Sequence, residues 1–249
     1  MTAYASYPSL RGRSVLVSGG ATGLGAEFVS QFAAQGASVA FVDVQDAAGE
    51  ALAAETGAVF RRVDVSDLEA YAAAIADLAA ATGPFTVLVN NAANDARHRS
   101  AEVTPAFWDE RMRVNLDHHF FATQAVVPMM RAAGGGSVIN LGSISTHIKL
   151  RDLVVYRTAK AAIEGLTRAL AQELGPDGIR VNCIVPGWVM TARQLEHWVD
   201  AEAEATIERE QALSRRLVPA DVARMALWLA ADDSAACTAQ SWVVDGGWM

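Results

Sequence analysis

Short apolar runs alternate with alanine-rich stretches along the whole chain. The runs fall at 14–17, 38–42, 59–63, 86–89, 137–141, 179–185 and 242–244. Apolar runs of this length are the signature of strands covered on both faces in a parallel sheet. Between them, 26–34, 68–81, 107–132 and 154–174 read as helices, and their alanine clusters are good helix formers. This succession predicts an α/β fold: one doubly wound parallel sheet with helices on both faces. Gly134 to Gly136 reads as a helix exit and turn. No Pro/Ser-rich boundary, repeat or low-complexity tail divides the chain. A single domain over 1–249 is expected, with 188–215 as a lid segment within it.

Composition narrows the classes of function. The 249 residues are 52% hydrophobic and 19% charged, which suits a large core and argues against a disordered chain. A formal charge of -8 speaks against a nucleic-acid surface, which needs a basic stripe. No charged-then-apolar segment opens the chain, and no apolar stretch reaches membrane-spanning length. A cytoplasmic protein without membrane contact is expected. Cys183 and Cys237 are too few for a disulfide framework, and Cys183, inside an apolar run, reads as a small buried thiol.

The first apolar run leads straight into Ser18 to Gly25, where glycines fall in a Gly-x-x-x-Gly-x-Gly spacing. Strand, glycine turn, helix is the setting in which such a motif binds a pyrophosphate. Gly19, Gly23 and Gly25 let the backbone approach the anion, and the helix start supplies free amides. The spacing departs from the Gly-x-Gly-x-x-Gly of the standard dinucleotide fingerprint. The second run ends at Asp43, about 20 residues beyond the glycines. A carboxylate there accepts hydrogen bonds from both adenine-ribose hydroxyls and repels a 2′-phosphate. No Lys or Arg stands in the glycine loop or next to Asp43, so NAD is expected over NADP. The fold expected is accordingly Rossmann-like, and the domain dinucleotide-binding.

Tyr156 and Lys160 stand four residues apart on a helix and so share a face, with Ser143 upstream. A phenol titrates near ~10 and is a weak base at neutral pH. The Lys160 ammonium beside it is expected to favour the phenolate, and Ser143 to hold the reacting oxygen. No metal is expected. His-Glu-x-x-His and paired Cys-x-x-Cys patterns are missing, and the adjacent His118 and His119 are expected on different helix faces. Ser143 lacks the Gly-x-Ser-x-Gly elbow of a hydrolase.

The glycine loop, Asn90 to Ala92, Asn115, Ser143, Tyr156, Lys160 and Pro186-Gly187 occur in one order over most of the chain. In this the chain resembles the short-chain dehydrogenase/reductase family. The resemblance implies a catalytic set of Asn115, Ser143, Tyr156 and Lys160. Tyr156 is then the base in oxidation, Lys160 supports it and binds the nicotinamide ribose, and Asn115, at a local helix distortion, supports a proton relay through water. It implies a cofactor set of Gly19, Thr22, Gly23, Leu24, Gly25, Asp43, Asp64, Val65, Asn91, Ala92, Tyr156, Lys160, Pro186, Gly187, Val189 and Thr191. It also implies a homotetramer joined partly through 107–132 and 154–174. Ser18 stands where Thr is commoner in the family, and Ala93 where Gly is usual.

Residues 93–98, 108–111 and 141–145, with His147, Arg193 and Gln194, look like the family's bacterial sugar 1-dehydrogenases, which oxidise D-xylose and related aldoses to lactones. That narrower resemblance implies a sugar substrate, with other aldoses such as L-arabinose or L-fucose, or another alcohol, as alternatives. A non-catalytic NAD(H)-binding protein is the rival from a different class. A sugar needs an apolar surface for its C–H face and partners for its hydroxyls. The expected substrate set is Asn94, Ser143, Ser145, His147, Tyr156, Trp188 and Gln194; Asp95 and His98 are further polar candidates. Trp108 and Trp228 are expected in the core.

Overall fold

The apolar runs pair in register into one sheet. The computed structural model, which describes residues 4–249, contains β1 (Ser14–Ser18), β2 (Ser38–Asp43), β3 (Val59–Arg62), β4 (Val87–Asn90), β5 (Gly136–Leu141), β6 (Ile179–Pro186) and β7 (Ser241–Val244). Their order is β3-β2-β1-β4-β5-β6-β7, and every pairing is parallel. The helices are α1 (Gly23–Ala34), α2 (Asp46–Thr56), α3 (Leu68–Thr82), α4 (Pro105–Met112), α5 (His118–Ala132), α6 (Val154–Leu174), α7 (Ala192–His197), α8 (Ala201–Glu210) and α9 (Pro219–Ala230).

Side chains leave a strand on alternate faces, and β1 uses both. Val15 and Val17 join Phe28 and Phe32 of α1 and Leu227 of α9 in one core layer. Leu16 joins the opposite layer with Ile75 and Leu78 of α3, Met130 of α5 and Leu174 of α6. Continuous apolar sequence was legible as strand for this reason: neither face of β1 meets water. Among the described residues, no helix is long and apolar enough to cross a membrane. Cys183 is fully buried, as expected of a small thiol in β6.

Four readings of the pattern are corrected or extended. Helix α2 escaped the pattern; its sequence carries Gly49, which weakens helix propensity. A Cβ there would run into the Phe60 ring, which would have to shift to admit it. The expected helix 107–132 starts earlier, at Pro105 behind the Thr104 cap, and is broken by a single π turn, Arg113–Asp117. Trp108 is not core: it is 38% exposed on α4. Trp228 does pack inward, edge to face on Trp242 with ring centroids 5.1 Å apart. His118 and His119 do not diverge: both are fully buried, with ring centroids 4.3 Å apart. The π turn just before them holds one extra residue, and the two rings reach Ala92 O and Asn140 Oδ1 on neighbouring strand ends. Burial keeps both neutral; it takes His118 down to about 3, with help from the Lys160 charge.

From β1 the chain winds outward to β3, then crosses back to β4 and winds the other way to β7. The loops after β1 and β4 therefore part company, and ligand clefts form at such a switch point. Here the cleft has a volume of about 930 Å³ and is lined from Gly19 to Trp248.

Candidate active site

One end of the cleft is a glycine cradle. Gly19 and Gly23 adopt left-handed backbone, with φ of 64° and 59°, which favours glycine. A Cβ on Gly25 would overlap the Gly19 carbonyl, and one on Gly19 would stand 2.8 Å from Ala92 Cα. Asn91 closes the loop by donating from Nδ2 to the carbonyls of Ser18 and Gly19, at 3.0 and 2.9 Å. Ser18 Oγ accepts from the amides of Asn91 and Ala92, at 3.0 and 3.1 Å. The hydroxyl of Ser18 and the side-chain amide of Asn91 thus both serve the loop itself. Thr22 leaves the first amides of α1 uncapped by its side chain, and no acidic residue stands in the first turn. Those amides form an anion site; no cation lines this end of the cleft among the described residues.

Asp43 closes the same end. It is 8% exposed, and its Oδ2 and Oδ1 accept from the amides of Ala21 and Gln45, each at 3.0 Å. The carboxylate is fixed, and its remaining lone pairs can meet a diol. Val44, Gln45, Asp64, Val65 and Ser66 line the wall around it. Asp64 Oδ1 is engaged by Ser66 at 2.9 and 2.7 Å. The tight backbone, free helix amides and fixed acid fit a dinucleotide cofactor.

The middle of the cleft carries the hydroxyls. Ser143 follows β5 and caps a short 3-10 turn, accepting from the Ser145 amide at 3.2 Å and donating to Ser145 Oγ at 2.9 Å. Tyr156 and Lys160 lie on the first turns of α6. Lys160 is 1% exposed; its Nζ donates to the Leu141 carbonyl at 2.7 Å and lies 5.7 Å from the Tyr156 ring centre. Burial brings the Lys160 ammonium down to about 8. Burial also pushes the Tyr156 phenol up to about 12; the Ser143 hydroxyl pulls it down, and the Asp95 carboxylate adds to the rise. The expected lowering of the phenol by Lys160 is not found: loss of water around the ring raises it instead.

Asn115 is fully buried inside the π turn, where a distortion was expected. Its Oδ1 accepts from the Asn94 amide at 2.8 Å, and its Nδ2 donates to the carbonyls of Asn94 and Arg111 at 3.2 and 2.9 Å. The side chain ties the loop after β4 to the helix; it does not line the cleft.

Pro186, Gly187 and Val189 form the facing wall, and the Thr191 methyl lies opposite Gly23. Trp188 Nε1 donates to Gln194 Oε1 at 3.0 Å, and Gln194 Nε2 donates to Asp95 Oδ2 at 2.7 Å. Arg193 reaches the other Asp95 oxygen at 3.1 Å, and the Arg97 guanidinium lies 4.5 Å from the Trp198 ring centre. Leu24, Ala92, Asn94 and Ser145 also line the cleft. Two expected sugar ligands face elsewhere. His147 is on the surface, 2.7 Å from Glu164 Oε1, because the 3-10 turn after Ser143 carries it past the cleft. His98 is buried against Phe107. Trp248 was not foreseen. Trp248 comes from beyond β7, its ring 6.4 Å from Trp188, and no local motif announces such a contact.

Known proteins resemble the chain over nearly its whole length. A family model described as Enoyl-(Acyl carrier protein) reductase matches residues 19–249. The chain is 52% identical to the D-xylose 1-dehydrogenase of Caulobacter vibrioides over 249 residues, 98% of each chain. It is 47% identical to a Rhizobium meliloti protein named "Probable galactose dehydrogenase GalD", over 97% of this chain and 96% of that one. A solved structure titled "short chain dehydrogenase/reductase family protein" superposes with a TM-score of 0.85 at 33% identity, over 96% of this chain and 98% of that one. The chain belongs to the short-chain dehydrogenase/reductase family, whose Rossmann-like fold binds a nicotinamide cofactor.

Proposed function

We propose that this protein oxidises the anomeric hydroxyl of an aldose to the lactone with NAD, and that D-xylose is its foremost substrate. The observation that supports the reading is that Ser143, Tyr156 and Lys160 line the same cleft as the glycine cradle and the Trp188-Gln194 wall. The 52% identity to a D-xylose 1-dehydrogenase supports the named sugar. The 47% relative named for galactose keeps neighbouring aldoses as the alternative.

NAD, when bound, supplies the hydride acceptor. Its pyrophosphate is held by the Gly19–Gly25 loop and the first amides of α1, and its adenine ribose by Asp43. Pro186, Gly187, Val189 and Thr191 border its nicotinamide end. Ser143 Oγ holds the sugar's reacting oxygen. The Tyr156 phenolate oxygen takes the proton of the anomeric hydroxyl. Lys160 Nζ, anchored by Leu141 O, stabilises the phenolate, and Ser143 and Tyr156 together favour the transition state. Asn115 holds the π turn in shape beside Lys160, so that a relay water has a place. Trp188 and Trp248 offer apolar faces to the sugar ring, and Asn94, Ser145 and Gln194 offer hydroxyl partners. Residues 188–215 act as the lid. A cytoplasmic homotetramer completes the reading: Trp108, Phe120, Phe121 and Val154 leave α4, α5 and α6 with exposed apolar groups.

A panel of about ten aldoses assayed by NADH absorbance with both nicotinamide cofactors tests this. D-xylose with NAD should have the highest kcat/KM. NADP should be worse by about 100-fold, because the fixed Asp43 charge faces its 2′-phosphate. Turnover of another alcohol class and of no aldose would overturn the assignment. Tight NADH binding with no turnover would make the chain a nucleotide-binding protein instead.

A further inference from the structure

Tyr156 sits in the first turn of α6, yet that helix has no cap of its own. Leu153 stands at the N-cap position and offers no side-chain acceptor. The first amides of a helix lack intrahelical partners and need acceptors from elsewhere. One comes from the loop after β4. His98 Nε2 accepts from the amide of Val155, the residue directly before Tyr156, at 3.1 Å. The other ring nitrogen, Nδ1, lies 3.0 Å from the Ala96 carbonyl, to which it can only donate. The two contacts together define one form of the ring: neutral, with its proton on Nδ1.

The rest of the environment holds that ring in place. His98 is 9% exposed and stands edge-on to Phe107 of α4, with centroids 5.0 Å apart. Its amide donates to the Asp152 carbonyl at 2.8 Å, and His98 forms an isolated parallel bridge with Leu153. Asp152 adopts left-handed backbone there, with φ of 61°, an arrangement that costs energy outside glycine and persists where the surroundings enforce it. The other end of the same loop is tied to the π turn by the Asn94–Asn115 pair. Loop 94–98 therefore spans from the buried Asn115 to the start of the helix that carries the phenol.

Resting on the dehydrogenase reading above, we infer that His98 is a positioning residue for Tyr156: its neutral imidazole caps α6 across the chain and sets where the phenol oxygen stands relative to Ser143. His98 does not line the cleft, so it acts through the helix and touches neither sugar nor cofactor.

The test compares His98→Leu, which keeps bulk and loses the acceptor, with His98→Gln, whose side-chain oxygen can reach the Val155 amide. Hydrogen–deuterium exchange over 153–158 reports the cap without any substrate. Steady-state kinetics report its consequence. His98→Leu should exchange faster in that segment, and its kcat should fall roughly tenfold, the scale of losing one cap. KM for the sugar should stay within about twofold, since uniform binding is untouched. His98→Gln should restore both protection and kcat. Should His98→Leu fail to fold, His98→Asn carries the same test: it keeps a donor for Ala96 and lacks the reach to Val155. Unchanged exchange and kcat in the variants without the acceptor would overturn the proposal, as would a glutamine variant as impaired as they are. A parent protein that oxidises no aldose would instead sink the dehydrogenase reading, and the exchange result would still judge the cap.

Discussion

At the scale of single residues, the reactive centre is a proton balance between two buried groups. Burial takes Lys160 down to about 8 and Tyr156 up to about 12. Both shifts come first from burial, which disfavours charge on either member of the pair. At low pH it carries two protons. The first leaves Lys160 near 8, and the phenol keeps its proton to higher pH. Oxidation requires the phenolate, so kcat/KM for the sugar should rise with pH across the neutral range and show no plateau at about 8. A pH–rate profile checks this; a rate that falls between about pH 6 and 8 would contradict it. The spacing of Tyr156 and Lys160 made the pair legible in the sequence. The direction of the phenol's shift was not legible, because it depends on how much water the fold removes from the ring. His147 was misplaced for a related reason: only the 3-10 turn after Ser143 shows that its imidazole passes the cleft and meets Glu164.

At the scale of elements, the junction of β1, the glycine loop and α1 sets where the cofactor lies. Gly25 is the tightest point, since any Cβ there would overlap the Gly19 carbonyl. Gly25→Ala must open that loop and lift the first amides of α1 away from the phosphate position. NADH affinity, followed by fluorescence titration, should drop by at least about tenfold while circular dichroism still shows a folded chain. Unchanged affinity would mean that the cradle is not the phosphate site. This junction was readable from sequence because strand, turn and helix are contiguous. The lid end was only partly readable. Gln194 and Trp188 are near neighbours in sequence, but their partners Asp95 and Trp248 arrive from the loop after β4 and from beyond β7. Helix α2 was lost to pattern analysis because Gly49 makes room for the Phe60 ring at the expense of helix propensity.

At the scale of the whole molecule, the sheet order brings the ends of β1, β4 and β5 together, and the functional groups ride on the loops and helices that follow them. That order was predictable as a class, since strands buried on both faces with helices between them leave few topologies. The surface was less so. Trp108 was expected inside and is 38% exposed, on a helix next to Phe120 and Phe121, at 39% and 42%. Large aromatics left outward on adjoining helices suit a partner surface. A tetramer of about four times 26.4 kDa is expected by analytical ultracentrifugation, and Phe121→Glu should lower the assembly state. A parent chain that sediments as a monomer would remove the homotetramer from the account. The central claim is narrower: one phenol, in one cleft, moves the proton. Its most direct test is the turnover of D-xylose by Tyr156→Phe, with NADH binding measured on the same sample. The account predicts a loss of about 10³-fold or more in kcat, with NADH affinity kept within a few-fold. A phenylalanine variant that still turns over sugar at a rate near the parent's would contradict it.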